Sequence, residues 1–266
     1  MLVKLTDGNS ELVVDDLGAC VVSWRHEGVE LIHLGRRFSS NPGSTEHGGI
    51  QLLFPQFGNF GMGEFHGFVR FMRWDLEFHA INRCSFLLYS AGGLDANGKE
   101  SSFLCRVQFE LSSQSLKISL IVSNEASTDA LTFTTGLHTA LAIGSIEDMA
   151  IEGLQGVNYL DAANEMEPAV ELSKQVTIGN TTVDRVYLDT PQTIKLISTP
   201  FQITAEQSGF EDTVVWSPVN FKADGQRNYD EYSHTFVCIE PAQIQNPIVL
   251  QPGHSWTGTQ ILSVVD

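Results

Sequence analysis

The chain has 266 residues, 42% of them hydrophobic, enough for a sizeable core, and all-β sandwiches of this length commonly form one domain, here expected over residues 1–266. Its 15 Lys and Arg against 32 Asp and Glu leave a formal net charge of -17, which excludes a broad basic surface for nucleic-acid phosphates or an anionic membrane. The opening MLVKLTDGNS has no apolar run fit for a signal peptide, and nowhere do roughly 18 consecutive apolar residues suggest a membrane span, so a soluble, cytoplasmic protein is expected. Neither nucleic acid nor membrane is expected as a partner, and the chain is expected to be a monomer.

In chain order, strands are predicted at ELVVDD, CVVSWRH, SFLLYS, FLCRVQFEL, SLKISLIV, ALTFTTGLH, TIKLIST, TVVWSP, TFVCIEPA and TQILSVV. The pattern is clearest where Leu116, Ile118, Leu120 and Val122 alternate with residues such as Lys117 and Ser119, which then face the other side of a sheet. Turn signals separate these runs, among them DGN, NPGS, DANGKE, SNEASTD, GNTT and PGH. Long stretches with helical periodicity are hard to find, so helices should be few and short. No repeat of fixed period supports a solenoid or propeller. The expected fold class is all-β, a large two-sheet antiparallel sandwich.

The four cysteines, Cys20, Cys84, Cys105 and Cys238, are scattered and read as buried or partly buried free thiols. Eight histidines show no HxH, HExxH or finger spacing, so neither a metal site nor a cofactor is expected. The segment from His47 to Trp74 gathers glycines, aromatics, two histidines and two arginines, as a loop that builds a site or as a packed crossover. His138 ends an apparent strand; such a histidine is commonly structural, yet its near-neutral titration suits a general acid facing a cleft. Glu240 follows the apolar run Phe236–Ile239. A carboxylate there is either hydrogen-bonded into the structure, exposed at a strand end, or used as a base. Asp184, Arg185, Tyr187 and Asp212 are residue types that bind sugar hydroxyls, and Trp216 is either a stacking platform or core.

Taken in order, GGIQLLFPQFG, HGFVRFMRW, GLHTAL, DRVYL, VVWSP and FVCIEPA resemble the hexose-6-phosphate mutarotase branch (glucose-6-phosphate 1-epimerase) of the aldose 1-epimerase family. The resemblance implies a galactose-mutarotase-like β-sandwich and an isomerase that needs no cofactor, acting on a small-molecule sugar or sugar phosphate. It places the catalytic histidine on His138 and the catalytic glutamate on Glu240. It matches His66 and Arg70 of HGFVR to a substrate-binding pair, Asp184 to a hydroxyl-binding position, and Gln56 and Phe57 to the loop that lines the pocket.

Interconverting anomers of an aldohexose or hexose 6-phosphate requires removal of the O1 proton and delivery of a proton to the ring oxygen, which Glu240 and His138 can supply. The branch usually has arginine immediately before GGI, where this chain has the candidate substrate-binding residue His47, and Gln51 follows where the branch has proline. Arginine offers phosphate a planar charged fork that histidine lacks, which leaves phosphate recognition open to Arg70, Arg73 or Lys222. Two alternatives stand beside this reading: a non-catalytic carbohydrate-binding or regulatory protein on the same fold, and a glycoside hydrolase using Glu240 with Asp184 or Asp212.

Overall fold

The computed structural model describes residues 1–33, 48–179, 182–219 and 234–265. The strands are β1 (Leu2–Asp7), β2 (Ser10–Asp15), β3 (Cys20–His26), β4 (Val29–Glu30), β5 (Ile50–Leu53), β6 (Asp75–His79), β7 (Arg83–Leu94), β8 (Glu100–Leu111), β9 (Ser115–Asn124) and β10 (Leu131–Ala142). They continue as β11 (Ala150–Glu152), β12 (Asn158–Asp161), β13 (Glu167–Val170), β14 (Gln175–Val176), β15 (Val183–Tyr187), β16 (Thr193–Ile197), β17 (Gln202–Ser208), β18 (Asp212–Ser217), β19 (Phe236–Leu250) and β20 (Ser255–Val265). Helical structure among the described residues amounts to three 3-10 turns, at Val69–Phe71, Ile146–Asp148 and Ala162–Asn164. None is long and apolar enough to cross a membrane.

Among the described residues the strands form two antiparallel sheets, as the all-β reading expects. The 11-stranded sheet runs β1-β2-β3-β5-β10-β19-β18-β15-β12-β13 with β4 on β3, and the 9-stranded sheet runs β14-β11-β16-β17-β20-β9-β8-β7-β6. Alternation decides what lies between them. On β9, Leu116, Ile118, Leu120 and Val122 are fully buried, while Lys117 lies on the opposite face and pairs with Glu110 at 2.7 Å. Across the sandwich, Leu137 and Leu141 of β10, Ile239 of β19 and Val215 of β18 join the same apolar cluster. Each such side chain contributes about 1.5–3 kcal/mol on burial, so the inner faces carry most of the favourable energy. All four cysteines are buried free thiols, as expected from their scatter.

Several stretches differ from the sequence expectation. Ile50–Leu53, read within a long loop, is a strand whose four residues are all buried, so no polar alternation marks it. Val183–Tyr187 and Gln202–Ser208 are also strands, and β19 continues well beyond Ala242. That continuation is hidden by an irregularity: Thr135 pairs with Gln243, but Phe133 pairs with Ile248, so extra residues bulge out of β19 and include Pro247, which has no N–H to give a ladder.

The strand β10 is buried on both faces along Leu131–Leu141. Its inner residues meet the other sheet. Its outer residues, together with those of β5, β19, β18 and β15, form a second, smaller apolar cluster that includes Leu53, Ala140, Val186, Val214 and Cys238. A sheet buried on both sides needs something covering its second face, and here that cover is the loop after β5.

Candidate active site

The register of β10 against β19 puts two titratable side chains in one place. Gly136 pairs with Ala242 and Ala140 pairs with Cys238, which sets His138 opposite Glu240 on the outer face. His138 Nδ1 lies 2.8 Å from Glu240 Oε1. Both residues are almost fully buried, at 5% and 2% exposure, so their interaction is little screened by water. The second carboxylate oxygen, Glu240 Oε2, is buried and has no hydrogen-bond partner among the described residues. A buried acceptor left unmade is costly, and it is the atom to which a hydroxyl entering from outside can donate.

The flanking strands surround the pair with apolar and polar walls. Val214 of β18 is the cross-strand neighbour of Glu240, and Gln51 of β5 is that of His138. Trp216 stands one row away, its ring 6.0 Å from His138 and tilted by 49°, and Phe236 packs against it at 6.0 Å. Trp216 is therefore buried, but on the site face and not between the sheets. Cys238 is fully buried beside the pair; burial first, then the charges of Glu240 and Asp184, hold its thiol well above the ordinary value. His33 stacks on Phe236 at 4.0 Å, and burial lowers its titration.

The loop after β5 roofs this face and is built from its own backbone. Phe57 donates its N–H to Thr134 Oγ1 at 2.9 Å, and Thr134 in turn donates to the Phe60 carbonyl at 2.9 Å. The Phe57 ring rests on Gly136, where a Cβ would come within 2.7 Å of it and within 2.8 Å of the Pro241 carbonyl. Gln56 is buried, and its amide is committed within the loop: Nε2 donates to the Gly58 carbonyl at 2.8 Å, and Oε1 accepts the Gly63 N–H at 2.7 Å. His66 has φ 63, a left-handed angle uncommon for a residue with a side chain. Gly67 follows at φ +65, where a Cβ would sit 2.1 Å from the Phe54 carbonyl oxygen, so only glycine lets the chain pass. The Gly58 N–H donates to His66 Nδ1 at 3.0 Å. That bond fixes the neutral tautomer with the proton on Nε2. The His66 and His138 rings are 6.0 Å apart, and Phe57 meets His66 edge-on at 5.4 Å.

Asp184 of β15 pairs with Trp216, which pairs with Cys238, so its carboxyl shares the face of Glu240. Burial pushes it up to about 6; the charges of Glu240 and Asp161 act the same way, and His138 opposes them. Arg70, in the 3-10 turn after the loop, stacks over the Phe71 ring at 4.6 Å and donates to the Phe65 carbonyl at 3.3 Å. Burial lowers its guanidinium to about 10, with Glu64 acting in the opposite direction, and its Nε is buried without a partner among the described residues.

Thus the structure brings His138, Glu240, Asp184, His66 and Phe57 to one face, with Arg70 in the turn beyond His66. Two sequence expectations are corrected. Asp212 is not available to a sugar: it is 1% exposed and accepts the N–H groups of Ile244 and Gln245, each at 2.8 Å, closing the β19 irregularity. Arg73 is not left for a phosphate either: its guanidinium is engaged by Asp16 at 2.7 Å. His47 and Lys222 lie outside the described residues. The sequence reading missed Cys238 and Thr134; the register of β10 against β19 is the signal for the first, and nothing local marks the second.

Comparison with known proteins bears on the family and the fold of the chain. The aldose 1-epimerase family profile matches residues 1–263. A Cenchrus ciliaris protein provisionally named glucose-6-phosphate 1-epimerase is 31% identical over 265 residues, covering 93% of this chain and 79% of its own. A Salmonella typhimurium structure provisionally named a mutarotase superposes with a TM-score of 0.82 at 20% identity, covering 100% of this chain and 90% of that one. A galactose mutarotase related enzyme from Lactobacillus acidophilus gives 0.80 at 16% identity over 100% and 98% of the two chains. The two structures share the fold of this chain, and the match along nearly its whole length shows that it belongs to the aldose 1-epimerase family.

Proposed function

We propose that this aldose 1-epimerase interconverts the α and β anomers of a hexose 6-phosphate by acid/base ring opening, with His138 and Glu240 moving the protons. The observation that carries the reading is the buried contact of His138 Nδ1 with Glu240 Oε1 at 2.8 Å, beside which Glu240 Oε2 is a buried acceptor without a partner among the described residues. Glu240 Oε2 takes the O1 proton while the His138 imidazolium, anchored through Nδ1, gives the proton on Nε2 to the ring oxygen. The bond from C1 to the ring oxygen breaks, O1 becomes the aldehyde oxygen, and the pair passes from charged to neutral without importing a charge. Rotation about C1–C2 presents the other face of the aldehyde, and closure reverses both transfers. Positioned proton transfer of this kind contributes about 10²–10⁴-fold, and the fixed site adds a positioning term.

The surrounding residues have matching roles. His66 donates Nε2–H to a substrate oxygen, Asp184 accepts from hydroxyls, and Phe57 and Trp216 offer apolar faces to sugar C–H groups. Gln56 holds the loop that carries them. Arg70 supports the phosphate: its half-buried cation has an unpartnered Nε among the described residues, and an anion would compensate its charge. The name of the Cenchrus ciliaris relative supports the same substrate.

Exchange NMR between anomers tests the reading. Glucose 6-phosphate should exchange faster with the protein than without it, and faster than glucose at equal concentration. Equal rates for both sugars would remove the phosphate from the proposal, and no acceleration of either would remove the reaction.

A further inference from the structure

We propose that His138, Cys238 and Glu240 form an inhibitory site for a thiophilic divalent cation such as Zn²⁺ or Cd²⁺. No sequence spacing announces it, because the site is assembled by strand pairing: Cys238 and Glu240 stand two residues apart on the same face of β19, and His138 rises from β10 beside them. One ligand atom from each, an imidazole nitrogen, a thiol sulfur and a carboxylate oxygen, all lie within 4.8 Å of one another. In a tetrahedral zinc site with metal–ligand bonds of roughly 2.0–2.3 Å, neighbouring ligand atoms sit about 3.3–3.6 Å apart. A cation therefore needs only to part the 2.8 Å His138–Glu240 contact slightly and draw Cys238 inwards.

Two further points favour this site. Glu240 Oε2 is already an unpartnered buried acceptor among the described residues, so the carboxylate can ligate through either oxygen. The mixed nitrogen, sulfur and oxygen donor set suits zinc or cadmium, whereas magnesium and calcium demand more oxygens than are present. Coordination displaces the Cys238 proton, so burial of this thiol makes metal binding compete with that proton and strengthen as pH rises. The displaced thiol and imidazole protons leave to the buffer. A bound cation occupies both proton-transfer groups at once, which is why the consequence is inhibition.

The inhibitory effect rests on the proposed anomerase reaction, but metal binding can be read without it. Cadmium titrated into the full chain should produce a thiolate-to-metal charge-transfer band in the ultraviolet that saturates at one equivalent, and Cys238→Ala and Cys238→Ser should both lack it while keeping the wild-type far-ultraviolet circular dichroism. With glucose 6-phosphate as substrate, Zn²⁺ should inhibit reversibly on addition of a chelator, and Mg²⁺ should not. Measured against its own metal-free rate, each variant should need at least about tenfold more Zn²⁺ for half inhibition, since it lacks the soft ligand. Absence of the band at stoichiometric cadmium, or a band that persists in both variants, would overturn the site. Unchanged zinc sensitivity in both variants would overturn the inhibition. If no sugar is turned over, the cadmium band alone decides.

Discussion

Replacing Asp184 by Asn should make the protein more stable at neutral pH while making it a poorer enzyme. Burial and the neighbouring charges of Glu240 and Asp161 raise this carboxyl from its ordinary 3.8 to about 6. Below 3.8 the group is protonated in both folded and unfolded chains and contributes nothing. Between 3.8 and about 6 the unfolded chain has released the proton and the folded chain still holds it, so stability falls as pH rises. Above about 6 the folded state bears the whole cost of an ionised, half-buried carboxylate. A shift of this size corresponds to about 3 kcal/mol at most, and the partial solvent contact of Asp184 brings the expectation to about 1–3 kcal/mol. Urea unfolding of wild type and Asp184→Asn across this range should give a gain that is near zero at the acid end and reaches a plateau above about 6. A gain that does not vary with pH, or a loss of stability throughout, would refute the reasoning. The same variant should show a raised KM, because Asn keeps the shape of Asp184 but offers one acceptor where a carboxylate offers two to sugar hydroxyls.

Three other substitutions probe separate parts of the site. Glu240→Gln should lower kcat by about 10²–10⁴-fold and leave sugar binding measurable by calorimetry, since the amide keeps the volume but cannot take the O1 proton; a variant with wild-type kcat would remove Glu240 from the mechanism. Arg70→Met should raise KM for glucose 6-phosphate by about tenfold or more, the worth of one charge-assisted contact, while leaving rates with unphosphorylated glucose unchanged. Steady-state comparison of the two sugars separates that outcome from general damage to the loop. Gly136→Ala places a Cβ about 2.7 Å from the Phe57 ring, so Phe57 must shift; activity should fall and the melting temperature should drop by a few degrees, consistent with an overpacking cost of about 1–3 kcal/mol. Unchanged activity there would mean that Phe57 does not shape the pocket.

The all-β class was legible because strands with one wet face alternate, as SLKISLIV does along β9. It was not legible where both faces are dry. Ile50–Leu53 and much of β10 are buried on each side, which erases alternation and left the first of them hidden in what read as a loop. The tail of β19 was obscured by its bulge and Pro247. Residue chemistry suggested His138 and Glu240 one at a time, and family resemblance coupled them; the physical coupling is a register between strands far apart in the chain, which no local pattern encodes. Asp212 shows the reverse case. Its type suits a sugar ligand, but its bonds go to backbone N–H groups that only the folded bulge exposes.

Placing the acid/base pair on interior strands of a wide ladder, with the roof on a separate loop, has a consequence for how activity is lost and altered. The backbones of His138 and Glu240 are held on both sides, by β5 and β19 and by β10 and β18 respectively. Their amides should therefore exchange with deuterium only when the sandwich opens as a whole, whereas the loop that presents His66 and Phe57 can open by itself at lower cost. Mild denaturant should accordingly weaken substrate capture before it disturbs proton transfer. For the same reason, grafting a different roof onto this sheet is the direct route to a different sugar preference with the reaction retained.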